Sequence, residues 1–187
     1  MLKLPWARKN DDNSKGICFV IKPMWLNHIE RVVDIEEQSF GEPWVPQAFR
    51  HCICSREHGA FVSLIENRVA GYAVTTYSAG SHQLCNIAVA PEYRRMGVAR
   101  CMIMQQLALL GGAKQMLAGV SDKNLPAHQF LRSMGFCAIS IGSRFFSNGD
   151  DAYIFQWKVG AQDRYLELRH PDYVLPDSHK HGVPVVR

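Results

Sequence analysis

The stretch VAPEYRRMGVARCMIMQQL, residues 89–107, constrains this chain more than any other. A β-type run, HQLCNIAVA (82–90), leads into two arginines and a glycine and then straight into an apolar helical pattern. A plain connector has no need of that combination, whereas a loop that wraps an anion does. The first N–H groups of a helix lack intrahelical acceptors, and the helix dipole adds partial positive charge there. A glycine removes the Cβ that would block close approach, so backbone N–H groups can surround a phosphate. Arg94 and Arg95 add long-range attraction, and either could pair with a phosphate oxygen. The spacing R-x-x-G-x-A over residues 94–99 is neither the dinucleotide fingerprint nor the P-loop. On spacing alone, a surface turn that opens a core helix fits the same letters.

The rest of the chain supplies the setting. ICFVIKPMW (17–25) is rich in β-branched and aromatic residues and is predicted as a strand. Ile29, Val32 and Val33 recur at helical spacing within 26–38. FGEPWVP (40–46) breaks that pattern, and Pro46 suits the first turn of a second helix running to about Ile53. FVSLIENRVAGYAVTTY is predicted as a hairpin turning at Asn67-Arg68. Ala99, Met102, Ile103, Leu107 and Leu110 share one face of the helix after the loop, which Gly111-Gly112 should end. QMLAGVS (115–121) is predicted as a buried strand, followed by a short helix with Pro126 in its first turn and Gly135 as its stop. CAISIGSRFF and AYIFQWKV are predicted as two last strands around SNGDD. The order implies a mixed α/β domain on one central sheet. Its expected limits are 17–159, between an N-terminal extension, 1–16, and an irregular tail, 160–187, with a short helix near 161–169.

A length of 187 residues suits one such domain. No apolar run approaches the roughly 18 residues that span a bilayer. The first 16 residues hold no signal-type apolar stretch, so the expected compartment is the cytoplasm and no membrane partner is expected. The net charge of +4 could favour an anionic ligand, but without a dense basic stripe it argues against nucleic acid as a partner. His51, Cys52, Cys54 and His58 are crowded, as are the three histidines of the tail. Without a CxxC or a second ligand pair, no metal is expected. Oligomeric state leaves no mark on the sequence.

LCNIAVAPEYRRMGVARCMIMQQL resembles the acetyl-CoA-binding core of the GNAT superfamily of N-acetyltransferases. The likeness runs from about residue 17 to 159 and takes in IEEQSFGEPW, SDKNLPAHQFLRSMGF and GSRFFSNGDDAYIF. Within the superfamily the chain is similar to the family that acetylates the N-terminal alanine of a ribosomal protein. The resemblance implies a GNAT-type mixed central sheet, flanked by helices, with splayed fourth and fifth strands. Acetyl-CoA is the implied co-substrate. The backbone of Ile87, Ala88 and Val89 would pair with its pantetheine arm. Arg94 is a further candidate, and Arg95, Met96, Gly97, Val98, Ala99 and Arg100 would wrap the pyrophosphate, with Asn124 as another contact. Phe40, Gly41 and Trp44 on one side, and Phe145 and Phe146 on the other, would flank the acceptor entrance. The implied activity is acetyl transfer to a primary amine by direct attack in a ternary complex. The favoured acceptor is a protein or peptide N-terminus, with a small amine as another possibility.

The pattern departs from its relatives where proton transfer is needed. Positions that often carry a base and a tyrosine acid are Gly119 and Leu131 here, and neither can move a proton. Three explanations stay open. An α-amine, with a pKa near 7.7–8.0 against about 10.4 for lysine, needs little help. Alternatively another side chain or a water serves, with Cys85, Ser121 and His128 as candidates and Tyr93, Glu37 and Glu42 behind them. Or the domain is a non-catalytic module that binds acyl-CoA or a peptide.

Overall fold

Alternating β-branched runs, punctuated by turn residues and two amphipathic helical stretches on each side of the fourth strand, build one sheet with helices on both faces. The computed structural model describes residues 19–78, 80–110 and 113–160. The strands are β1 (Phe19–Pro23), β2 (His58–Ile65), β3 (Arg68–Ser78), β4 (Ser81–Val89), β5 (Gln115–Ser121), β6 (Cys137–Gly142) and β7 (Ala152–Lys158). The helices are α1 (Ile29–Glu37), α2 (Pro46–Cys54), α3 (Val98–Ala108) and α4 (Leu125–Ser133). The sheet order is β1-β2-β3-β4-β5-β7-β6, and β4–β5 is its parallel pair.

Local chemistry explains most boundaries. Glu66 and Asn67 take positive φ (48° and 64°), the two-residue turn whose twist matches a hairpin. Asn124 caps α4, its Oδ1 accepting from the Ala127 N–H at 3.1 Å. Gly135, at φ 86°, ends that helix. The Gly135 N–H donates to the Arg132 carbonyl and the Phe136 N–H to that of Leu131, both at 3.0 Å, a Schellman closure.

Two apolar layers hold the sheet. α1 and α2 cover one face with Ile29, Val32, Ile35, Phe49 and Cys52 against Val62, Tyr72 and Val74. α3 and α4 cover the other, where Ile103, Leu131 and Phe136 meet Leu84, Met116, Val120 and Phe155.

Several expectations need correction. α3 ends at Ala108, and Gly111-Gly112 lie outside the described residues. Its buried face is Val98, Met102, Ile103 and Gln106, so a polar residue sits where an apolar one was expected. The Thr75 hydroxyl donates to Gln106 Oε1 at 3.2 Å, while Gln106 Nε2 is buried without a hydrogen-bond partner among the described residues. The SRFF part of the penultimate run is no strand. β6 stops at Gly142, Arg144 takes φ 48°, and the N–H groups of Phe145 and Phe146 both turn onto the Asp150 carbonyl. The extension 1–16 and the suggested helix near 161–169 lie outside the described residues.

Candidate active site

The site begins with a defect in the sheet. β4 and β5 pair only from Ser81–Gln115 to Leu84–Ala118, then part. At that point the β3–β4 register skips one residue: Val74 faces Asn86 while Thr75 faces Leu84, leaving Cys85 as an extra residue in β4. Such a bulge bends its strand and sharpens its twist, which turns the second half of β4 away from β5. The Ala90 N–H bonds to the Ala70 carbonyl of β3 at 2.9 Å. By antiparallel alternation, the N–H and C=O groups of Ile87 and the N–H of Val89 therefore point to the opposite edge, which β5 leaves unpaired. That edge can add an extended, amide-bearing chain as if it were a strand.

The groove continues into the loop singled out in the sequence. Arg95 (φ 64°) and Gly97 (φ 85°) are both left-handed, and no side chain caps α3. Alternating left-handed turns before an uncapped helix start form an anion-binding concavity. Ile87, Val89, Arg94, Arg95, Gly97, Val98, Ala99 and Arg100 line a cleft of about 470 Å³ there, closed on the far side by Ala127 and Phe130 of α4. Met96 is 43% exposed and lies outside that lining. Arg94 turns inward: its Nε donates to the Val89 carbonyl at 3.0 Å and its Nη2 to Ser39 Oγ at 3.2 Å. It thus braces the loop against the α1–α2 connection while staying exposed, and Arg95 and Arg100 join it as exposed cations of the mouth.

A narrower groove, lined by Ile87, Ala88, Val89 and Arg94, runs from this cleft towards a third cleft of about 360 Å³. Ser39, Phe40 and Asn124 line both of the latter two, so they mark the junction. The third cleft has an apolar floor, Phe40, Pro126 and the buried Phe146, and a polar rim, Glu42, Ser121, Lys123, Asn148 and Asp150. Across it, Ser147 Oγ donates to Glu42 Oε2 at 2.7 Å, joining loops 105 residues apart. Lys123 and Asp150 pair on the same rim. That pairing lowers the carboxyl pKa of Asp150 and raises that of the Lys123 ammonium.

Other sequence candidates fall elsewhere. Trp44 lies outside the cleft lining and packs on Phe49, ring centroids 5.5 Å apart. Phe145 meets Phe146 edge to face and is outside the cleft lining. Cys85 is fully buried, and burial pushes its thiol pKa up to about 12. No thiolate forms there near neutral pH, so Cys85 is a packing residue of the bulge. His128 points back at the sheet, with Nε2 2.8 Å from the Ser121 carbonyl and its ring against Tyr153 and Phe155. Ser121 reaches the cleft, but its Oγ accepts from the Lys123 N–H. Glu37 faces solvent, and Tyr93 packs beneath the loop, where it lines the cleft at the start of α3 rather than the third cleft. Leu131 is buried core. Glu42 is the ionisable candidate that does line the cleft.

Sequence reasoning passed over two contributors. Ser39, at the junction, left no motif. Glu36 was hidden beside Glu37 in IEE, although it is 1% exposed. Its spacing from Ile29 and Val32 (i, i+3, i+7) could have found it, since it occupies the apolar stripe of α1. Among the described residues, no three His, Cys, Asp or Glu side chains gather closely enough to hold a metal, and no helix is long and apolar enough to cross a membrane.

A parted parallel strand pair, an open strand edge and an uncapped helix start suit an extended, amide-bearing ligand that ends in an anion. The chain belongs to the acetyltransferase (GNAT) family, whose profile matches residues 29–136. It is similar to a Bacillus subtilis protein provisionally named as a ribosomal protein bS18-alanine N-acetyltransferase. The two are 26% identical over 138 residues, 72% of this chain and 91% of the relative. The Escherichia coli ribosomal-protein-S18-alanine N-acetyltransferase has the same fold, with a TM-score of 0.69 and 22% identity over 80% of this chain and 99% of that one. So does Arabidopsis thaliana NAA60 solved in complex with acetyl-CoA, with a TM-score of 0.68 and 14% identity over 76% of this chain and 99% of that one. The chain is an acetyl-CoA-dependent acyltransferase.

Proposed function

We propose that this enzyme acetylates the α-amine of a protein or peptide N-terminus. The observation that carries the reading is the junction at Ser39, Phe40 and Asn124, where a groove fit for the acyl-donor arm opens into a separate polar-rimmed cleft. The arm of acetyl-CoA lies along the free edge of Ile87–Val89, its diphosphate on the N–H groups of residues 95–100. The thioester then faces the junction. The acceptor enters from the far cleft, where Glu42 favours a cationic terminus and Phe40 and Phe146 favour an apolar first side chain. Names carried by the relatives, ribosomal-protein-alanine N-acetyltransferase and N-alpha-acetyltransferase, support this acceptor class.

The neutral amine attacks the thioester carbonyl carbon. The carbonyl oxygen takes the negative charge and meets the inward-facing N–H of Val89, a preorganised donor of the oxyanion-hole kind. The C–S bond breaks, the electron pair leaves on sulfur, and the nitrogen's proton ends on the thiolate. Glu42 holds the incoming ammonium and can accept its proton. Because an α-amine ionises two to three pH units below lysine, about 10²-fold or more of it is neutral at a given pH. Positioning then supplies much of the remaining rate.

Thiol release from acetyl-CoA tests the reading, with peptides bearing a free N-terminus compared against N-blocked peptides bearing one lysine, polyamines and aminoglycosides. A preference of about 10²-fold for the free N-terminus is expected. Faster turnover of the blocked lysine peptide refutes the acceptor assignment, and tight cofactor binding without turnover of any amine points to a binding module instead.

A further inference from the structure

The buried acid Glu36 takes no part in the chemistry described so far, yet it touches both walls of the site. It lies in the last turn of α1 with 1% of its surface exposed. Its Oε1 accepts the backbone N–H of Trp44 at 2.9 Å and Asn86 Nδ2 at 3.1 Å. Its Oε2 accepts Asn86 Nδ2 at 3.2 Å and the Tyr72 hydroxyl. Trp44 ends the loop that carries Phe40, Gly41 and Glu42 into the acceptor cleft. Asn86 is the first β4 residue after the bulge and directly precedes the free edge at Ile87. Tyr72 belongs to β3, the strand against which β4 bends.

We propose that Glu36 is a positioning residue that fixes the acceptor loop and the splayed half of β4 to one another, and so sets the distance between amine and thioester. A carboxylate suits this place because it has two acceptor oxygens and no donor of its own. An apolar residue of similar size would leave the part-buried Trp44 N–H and the buried Asn86 amide unpaired, which a folded chain avoids. The Oδ1 of Asn86 is itself buried without a hydrogen-bond partner among the described residues. Asn86 is thus oriented by its bond to Glu36 rather than by full satisfaction of its own amide. The bulge bends β4 away from β5, and the bond to Glu36 keeps it there. Most of the cofactor grip lies elsewhere, at residues 95–100. The proposal rests on the two-cleft reading of the site, but not on which amine is the acceptor.

The test uses the full-length enzyme and whichever amine of the panel the wild type turns over fastest. Glu36→Met should lower kcat/KM for the amine by about tenfold or more, because charge-assisted bonds to two walls are lost together. The acetyl-CoA Kd by calorimetry should stay within about threefold of wild type, and hydrogen exchange at the Trp44 amide should accelerate. Glu36→Gln, which keeps one acceptor oxygen, should recover most of the rate. Tyr72→Phe removes a single donor from a shape-matched ring and provides the readout should Glu36→Met not fold; it should lower kcat/KM about threefold or more. A merely structural carboxylate predicts a lowered Tm with unchanged kcat/KM per folded molecule. That result in Glu36→Met, or in Tyr72→Phe if the former does not fold, overturns the proposal. Parallel weakening of acetyl-CoA binding and amine turnover also overturns it, since the site would then have collapsed as a whole.

Discussion

Gly97 offers the sharpest test of the anion loop, because charge and strain can be separated at one position. Its φ of 85° is left-handed, and a Cβ built on it would meet nothing within 4 Å. Any side chain there costs about 1–2 kcal/mol of backbone strain, without a steric clash. Gly97→Ala should therefore lower Tm by several degrees and leave the acetyl-CoA Kd within about tenfold of wild type. Gly97→Glu carries the same strain but regains a few tenths of a kcal/mol, because a carboxylate at a helix start favours the dipole. Its stability should match that of the alanine variant. Its cofactor affinity should not. A carboxylate about 4 Å from a diphosphate charge meets a repulsion of about 4 kcal/mol at an effective dielectric near 20, before competing for the same N–H groups. About a 10³-fold loss in Kd follows. Thermal melts followed by circular dichroism and titration calorimetry with acetyl-CoA measure both quantities. Equal cofactor affinity in the two folded variants would mean that the diphosphate does not sit on this helix start.

Three further outcomes are expected. Asn124→Ala removes the cap of α4 and should cost about 1 kcal/mol, read as a drop in Tm. Because Asn124 also lines the junction, kcat should fall at temperatures well below that transition. Cys85→Ala should cost about 1 kcal/mol of packing yet leave the pH–rate profile unchanged, since a thiol titrating near pH 12 cannot serve as base near neutrality; a profile shifted by this substitution would return Cys85 to the chemistry. His82 is 8% exposed, its ring 4.6 Å from that of Tyr77, and burial lowers its pKa below the ordinary 6.5. As pH falls below about 6.5 the unfolded chain takes up the proton that the folded one refuses, so stability should decline by up to about 1.4 kcal/mol per pH unit until the folded pKa is reached. His82→Gln should flatten that decline in melts recorded between pH 7 and 5.

What could be foreseen from the chain was the chemistry carried by neighbours in sequence. The anion loop was legible because strand, arginines, glycine and helix follow one another without interruption, and the stop at Gly135 is local in the same way. The splay of β4 from β5 is not local. Its physical cause is an extra residue at Cys85, and counting alternation along β4 cannot show that β3 skips it. The acceptor cleft was legible only in pieces, since Glu42 and Ser147 meet through the fold. Glu36 falls between these cases. A charged residue in an apolar helical stripe signals that the stripe must meet a buried donor, but not which one. Had Leu stood at 36, the stripe of α1 would have been more regular, and by local criteria the chain would have looked better made. It would also have left the donors of Trp44 and Asn86 unpaired, at about 1–3 kcal/mol each, and freed from each other the two walls that bring amine and thioester together. In this fold, therefore, a break in the apolar pattern of a helix packed on the splay carries functional information that motif and composition do not.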